Sequence, residues 1–168
     1  YFSSVLGVDL GMFYKRRDYS RIVNGKNPIV AHEYLGADVA GKDIIIVDDM
    51  ISSGDSVLDL GKKLKELNAK NIYVCTTFGL FCNGLEHFDD AYEKGYITKV
   101  FTTNGIYQSP ELISRDWYCS VELSKYIAYI LDTLNHDASI SGLLEPTGKI
   151  NALLVKKGKR KNAITGVF

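Results

Sequence analysis

The run IIIVDDMISSGDS, residues 44–56, sets two adjacent carboxylates, Asp48 and Asp49, directly ahead of a turn carrying Ser52, Ser53, Gly54, Asp55 and Ser56. Carboxylates accept hydrogen bonds from hydroxyl groups and bind Mg²⁺, directly or through water. Hydroxyls and backbone N–H groups grip phosphate, and Gly54 permits a close backbone approach or a positive φ. A sugar phosphate accompanied by Mg²⁺ satisfies both halves of this pattern. Ser52 or Ser53 also suits a plain helix cap, which is the alternative when the stretch is read alone.

Such a turn needs a strand in front of it and a helix behind it. DIIIV (43–47) reads as a buried strand, and in SVLDLGKKLKEL the residues Val57, Leu60 and Leu64, with Leu67 beyond, recur at helical spacing. The turn therefore lies at a helix N-terminus, where the first N–H groups lack intrahelical acceptors. The macrodipole adds at most about 2 kcal/mol, and each charge-assisted hydrogen bond roughly 1.5 to 3 kcal/mol, so loop geometry decides anion binding. A carboxylate about 6 Å from a phosphate charge repels it by about 2 to 3 kcal/mol at an effective dielectric of 20, which a cation must offset.

VLGVDLGMF (5–13), PIVAHEYL (28–35), IYVCTTF (72–78) and KVFTT (99–103) give further strand signals. Leu85, Phe88 and Tyr92 mark a second helix, and Val121, Ile127, Ile130, Leu131 and Leu134 a third. Strands alternating with helices predict an α/β fold, a three-layer, mainly parallel sheet with helices on both faces. Ligands of such sheets bind beyond the carboxyl ends of the strands, where Asp48 and Asp49 fall. One domain over residues 1–145 and a C-terminal tail over 146–168 are expected.

The 168 residues balance 20 basic against 20 acidic side chains, so no global field draws in nucleic acid or an anionic membrane. The basic run KKGKRK (156–161) has no aromatic platform for bases and reads as a solvated tail. No apolar stretch approaches the roughly 20 residues that span a bilayer. Cys75, Cys82 and Cys119 are odd in number and lack CxxC spacing, which suits reduced thiols in the cytoplasm. His32, His87 and His136 have no metal-ligand spacing. GADVAGKD (36–43) approaches a Walker A motif, but Asp43 replaces its Ser/Thr and the segment precedes a strand instead of following one. The chain opens on Tyr1, almost inside an apolar segment, so an upstream portion is expected to have been removed.

DDMISSGDS resembles the phosphoribosyl-diphosphate motif of type I phosphoribosyltransferase folds. More of the chain is similar to the C-terminal half of the ribose-phosphate diphosphokinase family: YKRRDYS (14–20) to its flexible catalytic loop, and FTTNGI with ELSKYIAYILDTLNHDASISGLL to its closing strand and C-terminal helix. The resemblance implies Mg²⁺-dependent transfer of diphosphate from ATP to ribose 5-phosphate, giving 5-phosphoribosyl 1-diphosphate and AMP. It implies a homo-oligomer, and a chain inactive without the N-terminal half. By position, Asp48 and Asp49 would meet the ribose hydroxyls and Mg²⁺, and Ser52, Ser53, Gly54, Asp55 and Ser56 the 5-phosphate. Lys15 and Arg17 would close over the ATP phosphates as catalytic residues. Ser52 stands where the common form of the family's loop carries an acid, and two further features depart from the family pattern. Asp55 adds a carboxylate beside the expected phosphate, and Thr77-Phe78 replaces the usual Thr-His pair. A phosphoribosyltransferase and a non-catalytic regulatory homologue that binds ribose phosphates are the alternatives.

Overall fold

The computed structural model describes the backbone of residues 1–17 and 29–158 and, within these, the side chains of all but 15–17 and 29–33. In chain order the elements are α1 (Phe2–Leu6), β1 (Gly11–Arg17), β2 (Ile29–Gly36), β3 (Ile44–Ile51), α2 (Asp55–Glu66), β4 (Ile72–Gly79), α3 (Glu86–Glu93), β5 (Lys99–Thr103), α4 (Pro110–Ile113), β6 (Tyr118–Val121), α5 (Ser124–Asn135), α6 (Ser141–Leu144) and α7 (Thr147–Lys156). They form two compact units, one of residues 39–138 and one of residues 1–38 with 139–168.

The first of these units is an α/β fold built on a parallel sheet in the order β3-β4-β5-β6, flanked by helices. Parallel neighbours need crossovers, and with sequential strand order the right-handed rule carries successive crossover helices to the same side. The core follows that rule: Val57 of α2, Phe88 and Ala91 of α3 and Leu112 of α4 pack with Val74, Val100 and Tyr118 from successive strands. Ile46, Val74, Val100 and Tyr118 stand in one registered row across the four strands. Alternation turns Ile45 and Val47 to the other face, where they stay 50% and 46% exposed.

An aromatic cluster holds this core. The Phe81 and Phe88 rings meet edge to face at 5.0 Å, and Phe88 stacks on Trp117 at 5.3 Å. The Trp117 indole N–H donates to Asp89 Oδ1 at 2.6 Å, and Arg115 Nε donates to the same oxygen at 3.0 Å. The one polar atom of the buried indole is thereby satisfied.

In the other unit β1 and β2 form an antiparallel ribbon, paired from Gly11↔Gly36 to Arg17↔Ile29 with an irregularity between Arg16 and Arg17. Gly11 lies so close to the Tyr34 ring that a Cβ there would collide with it. Helices α1 and α7 pack together, and the Tyr1 and Thr147 hydroxyls are 3.1 Å apart.

Several sequence expectations are corrected. Residues 5–13 do not make one strand: Val5 and Leu6 end α1, Gly7 closes it in the left-handed region at φ 68°, and β1 begins at Gly11. Val121 belongs to β6, a four-residue strand too short to show periodicity. Residues 147–156, read as tail, form α7. Of YKRRDYS, read as loop, residues 14–17 lie in β1 and residues 18–20 lie outside the described residues. Among the described residues no helix is long and apolar enough to cross a membrane.

Candidate functional site

Strand β3 delivers the acids. Its five β-branched residues suit a pleated sheet, and pairing with β4 runs from Ile44↔Ile72 through Asp48↔Thr76 to Ile51↔Gly79. Asp48 and Asp49 are both exposed, not turned into the core. Each uses one carboxylate oxygen on the next backbone: the Asp49 N–H donates to Asp48 Oδ1 at 2.9 Å, and the Met50 N–H to Asp49 Oδ1 at 2.8 Å. These bonds orient both side chains, and among the described residues no hydrogen bond takes the second oxygen of either.

The turn after β3 is set by Gly54. It caps α2 in the left-handed region, at φ 95° and ψ −14°, and the Phe88 ring fills the space where a Cβ would stand. Any other residue is strained there and meets Phe88 as well. The turn is anchored from the neighbouring loop: the Ser52 carbonyl accepts from the Cys82 N–H at 2.9 Å, and Ser52 Oγ lies 3.8 Å from Cys82 Sγ.

Between strand end and turn lies an open depression of about 140 Å³, lined by Asp48, Met50, Ile51, Ser52, Ser53, Gly54, Ser56 and Val57. Asp48, Ser52, Ser53, Gly54 and Ser56 from the predicted set therefore meet at one place. Asp49 and Asp55 are not in the lining. For Asp49 the reason is strand alternation, which sends neighbouring side chains to opposite faces. Asp55 instead accepts the Ser53 hydroxyl proton at Oδ2, 2.9 Å away, while its own N–H reaches back to Ser53 Oγ at 3.4 Å. Lys15 and Arg17 lie in the other unit, on β1, and their side chains fall outside the described residues. Met50, Ile51 and Val57 complete the lining. Sequence reading assigned them to the strand and helix alone, and their signal is only proximity to the motif.

The chemistry of the depression is that of an anion cradle with one acid on its rim. No backbone acceptor takes the N–H groups of Gly54, Ser56 or Val57 among the described residues, and α2 has no side-chain cap. These groups and the Ser52 and Ser56 hydroxyls form a donor set for phosphate oxygens. None of the described lining residues is basic, so among the described residues a bound phosphate finds hydrogen bonds but no neutralising side chain. The Asp48 carboxylate on the rim suits Mg²⁺, which binds through one or two carboxylates plus waters and ligand phosphates. No group of three or more His, Cys, Asp or Glu that could hold a metal forms among the described residues, so an all-protein cage is not what these acids offer.

Beside the depression a polar row continues along the strand ends. Thr76 Oγ1 donates to the Phe78 carbonyl at 3.2 Å, and the buried Thr102 and Tyr118 hydroxyls are 2.6 Å apart. Burial pushes the Tyr118 hydroxyl above its ordinary range. Gln108 donates to the Thr103 carbonyl at 2.9 Å and accepts from the Ser120 hydroxyl at 2.6 Å. Asn104 donates to Glu122 at 2.7 Å, and hydrogen bonds from Ser124 and then from Asn104 hold the Glu122 carboxyl below its usual range.

Residues 20–145 match the family model described as "Phosphoribosyl synthetase-associated domain". The chain is 36% identical over 109 residues to a ribose-phosphate pyrophosphokinase of Ureaplasma parvum, covering 64% of this chain and 31% of that protein. It is 34% identical over 102 residues to one of Thermococcus kodakarensis, covering 60% and 34%, and 26% identical over 136 residues to one of Vibrio parahaemolyticus, covering 81% and 40%. The chain thus spans between about a third and two fifths of the length of these relatives. The fold is similar to a crystal structure of phosphoribosylpyrophosphate synthetase from Mycobacterium smegmatis, with a TM-score of 0.63 at 21% identity, covering 82% of this chain and 40% of that one. A parallel sheet that ends in two acids and a glycine turn, and a family model matched across most of the sequence, agree: the chain belongs to the phosphoribosyl synthetase-associated domain family.

Proposed function

We propose that the chain binds ribose 5-phosphate at the Asp48 depression and serves Mg²⁺-dependent transfer of diphosphate from ATP to that sugar. The observation that carries the reading is the depression itself, where a fixed carboxylate and a set of N–H and hydroxyl donors meet at the carboxyl end of β3. The 5-phosphate lies on the turn, hydrogen-bonded to Ser52, Ser56 and the N–H groups that open α2. The free oxygen of Asp48 accepts from a ribose hydroxyl and fixes the ring. Asp48 would hold Mg²⁺ together with waters and ligand phosphates, and the cation would supply positive charge beside the transferred group.

In the transfer the 1-hydroxyl oxygen of ribose 5-phosphate bonds to the β-phosphorus of ATP as the bond from that phosphorus to the α-phosphate oxygen breaks. AMP leaves, and the hydroxyl proton is released. Such a reaction rests on in-line positioning and on spreading of negative charge. Lys15 and Arg17 supply that charge, Arg through a bidentate fork and Lys as a point charge. The same reading has the chain acting as part of a homo-oligomer in the cytoplasm, where the exposed thiol of Cys82 stays reduced.

Calorimetric titration with ribose 5-phosphate, with and without MgCl₂, tests the proposal. A saturable heat is expected that strengthens with Mg²⁺ and that Asp48→Asn weakens by about tenfold or more. Equal binding by the chain and by D48N removes Asp48 from the site, and absence of binding under both conditions removes the site.

A further inference from the structure

The turn that cradles the anion contains a carboxylate of its own, and its contacts give that group a specific role. Ser53 lines the depression, yet its hydroxyl proton is committed to Asp55 Oδ2 at 2.9 Å, and the Asp55 N–H points back to Ser53 Oγ at 3.4 Å. Two donors of the turn, one hydroxyl and one backbone N–H, are thus closed into a ring that Asp55 holds. Asp55 is also the first residue of α2, where its charge already answers the positive end of the helix. It stands between Gly54 and Ser56, both of which line the depression. A carboxylate in this place competes with an incoming anion three times over, for the Ser53 hydroxyl, for the helix terminus and through like-charge repulsion.

We propose that Asp55 is a specificity determinant that acts against bare phosphate: it withholds Ser53 from the ligand and makes the turn favour a phosphate ester that arrives with a divalent cation. The inference rests on the reading of residues 52–56 as the phosphate site, and it changes what Asp55 does there. It is a positioning residue that sets ligand selectivity through Ser53, and it does not itself grip the sugar phosphate. Replacing the carboxylate with a neutral group removes the like charge at the α2 terminus and loosens the hold on the Ser53 hydroxyl, so affinity for an unescorted anion rises and the benefit of the cation shrinks. Removing only the Ser53 hydroxyl leaves the charge in place and gives no such gain.

The test is calorimetric titration of the full chain, D55N, D55S and S53A with inorganic phosphate and, separately, with ribose 5-phosphate, each with and without MgCl₂. The expected result is that D55N and D55S bind inorganic phosphate without Mg²⁺ on the order of tenfold more tightly than the parent chain, with a smaller gain on adding Mg²⁺, and that S53A binds no more tightly than the parent. Should D55N unfold, D55S decides. The inference is overturned if the parent binds ribose 5-phosphate and both Asp55 variants bind phosphate no more tightly than it does. It is also overturned if S53A shows the same gain as D55N, since the charge is then not the cause. Absence of binding by every form to either ligand, with Mg²⁺ present, overturns the phosphate site as well, which separates that failure from a failure of Asp55 alone.

Discussion

Gly54 shows how one residue can serve fold and chemistry together. It turns the chain at φ 95° and leaves room for the Phe88 ring, and it sits in the lining of the anion cradle. A Cβ there adds backbone strain to overpacking. Gly54→Ala is expected to destabilise the unit by at least about 2 kcal/mol, read from the shift of a urea unfolding midpoint. The same variant is expected to lose ribose 5-phosphate binding, because the N–H groups of Gly54, Ser56 and Val57 are displaced with the turn. The two adjacent acids differ for an equally local reason. Asp48 shares its sheet face with Ile46 and reaches the depression, whereas Asp49 points the other way and stands outside its lining. A pair that reads as twins in the sequence is one ligand-facing acid and one neighbour.

Among the elements, β3 and α2 make the site, but the far end of the sheet is tied by a different device. Glu122 bridges the end of β5 to the start of α5, accepting from Asn104 Nδ2 at 2.7 Å and from the Ser124 N–H at 2.8 Å. These hydrogen bonds favour the ionised form, so the folded-state pKa of Glu122 lies below its ordinary value. The sign follows from linkage. A depressed carboxylate contributes stability that is fully present above the unfolded-state pKa, about 4.3, and is lost as pH falls through the folded-state value. In Glu122→Gln that contribution is gone at every pH. Thermal midpoints of parent and variant are therefore expected to differ most near neutrality and to converge in acid, as measured by melting at a series of pH values. Lys65 plays a comparable part for α2, donating to the Ala69 carbonyl at 3.2 Å and to that of Lys70, beyond the helix end.

For the molecule, the cluster of Phe81, Phe88, Trp117 and Tyr118 is where strands, helices and site meet. Phe88 is fully buried, stacks on Trp117 and fills the space beneath Gly54. Phe88→Ala removes both contacts and leaves a cavity in the core, and it is expected to cost about 3 to 5 kcal/mol in urea unfolding. Phosphate affinity is expected to fall with it, as the turn loses its floor. From the amino-acid order alone came the α/β class, the strands carrying IIIV, YVCTTF and VFTT, the helix of Val57 and Leu64, and the motif at residues 48–56, because β-branched runs, helical spacing and a glycine turn are local signals. Hidden from that reading were β6, with too few residues to show a period, α7, whose weakly patterned segment passes for a tail, and α1, which shares an apolar run with β1. Hidden too was the choice between Asp48 and Asp49, and the ring closed by Ser53 and Asp55. These depend on where side chains point once β3 is paired with β4 and Phe88 is seated under the turn. Residue types name the groups capable of chemistry, and register and packing in three dimensions select which of them face the ligand.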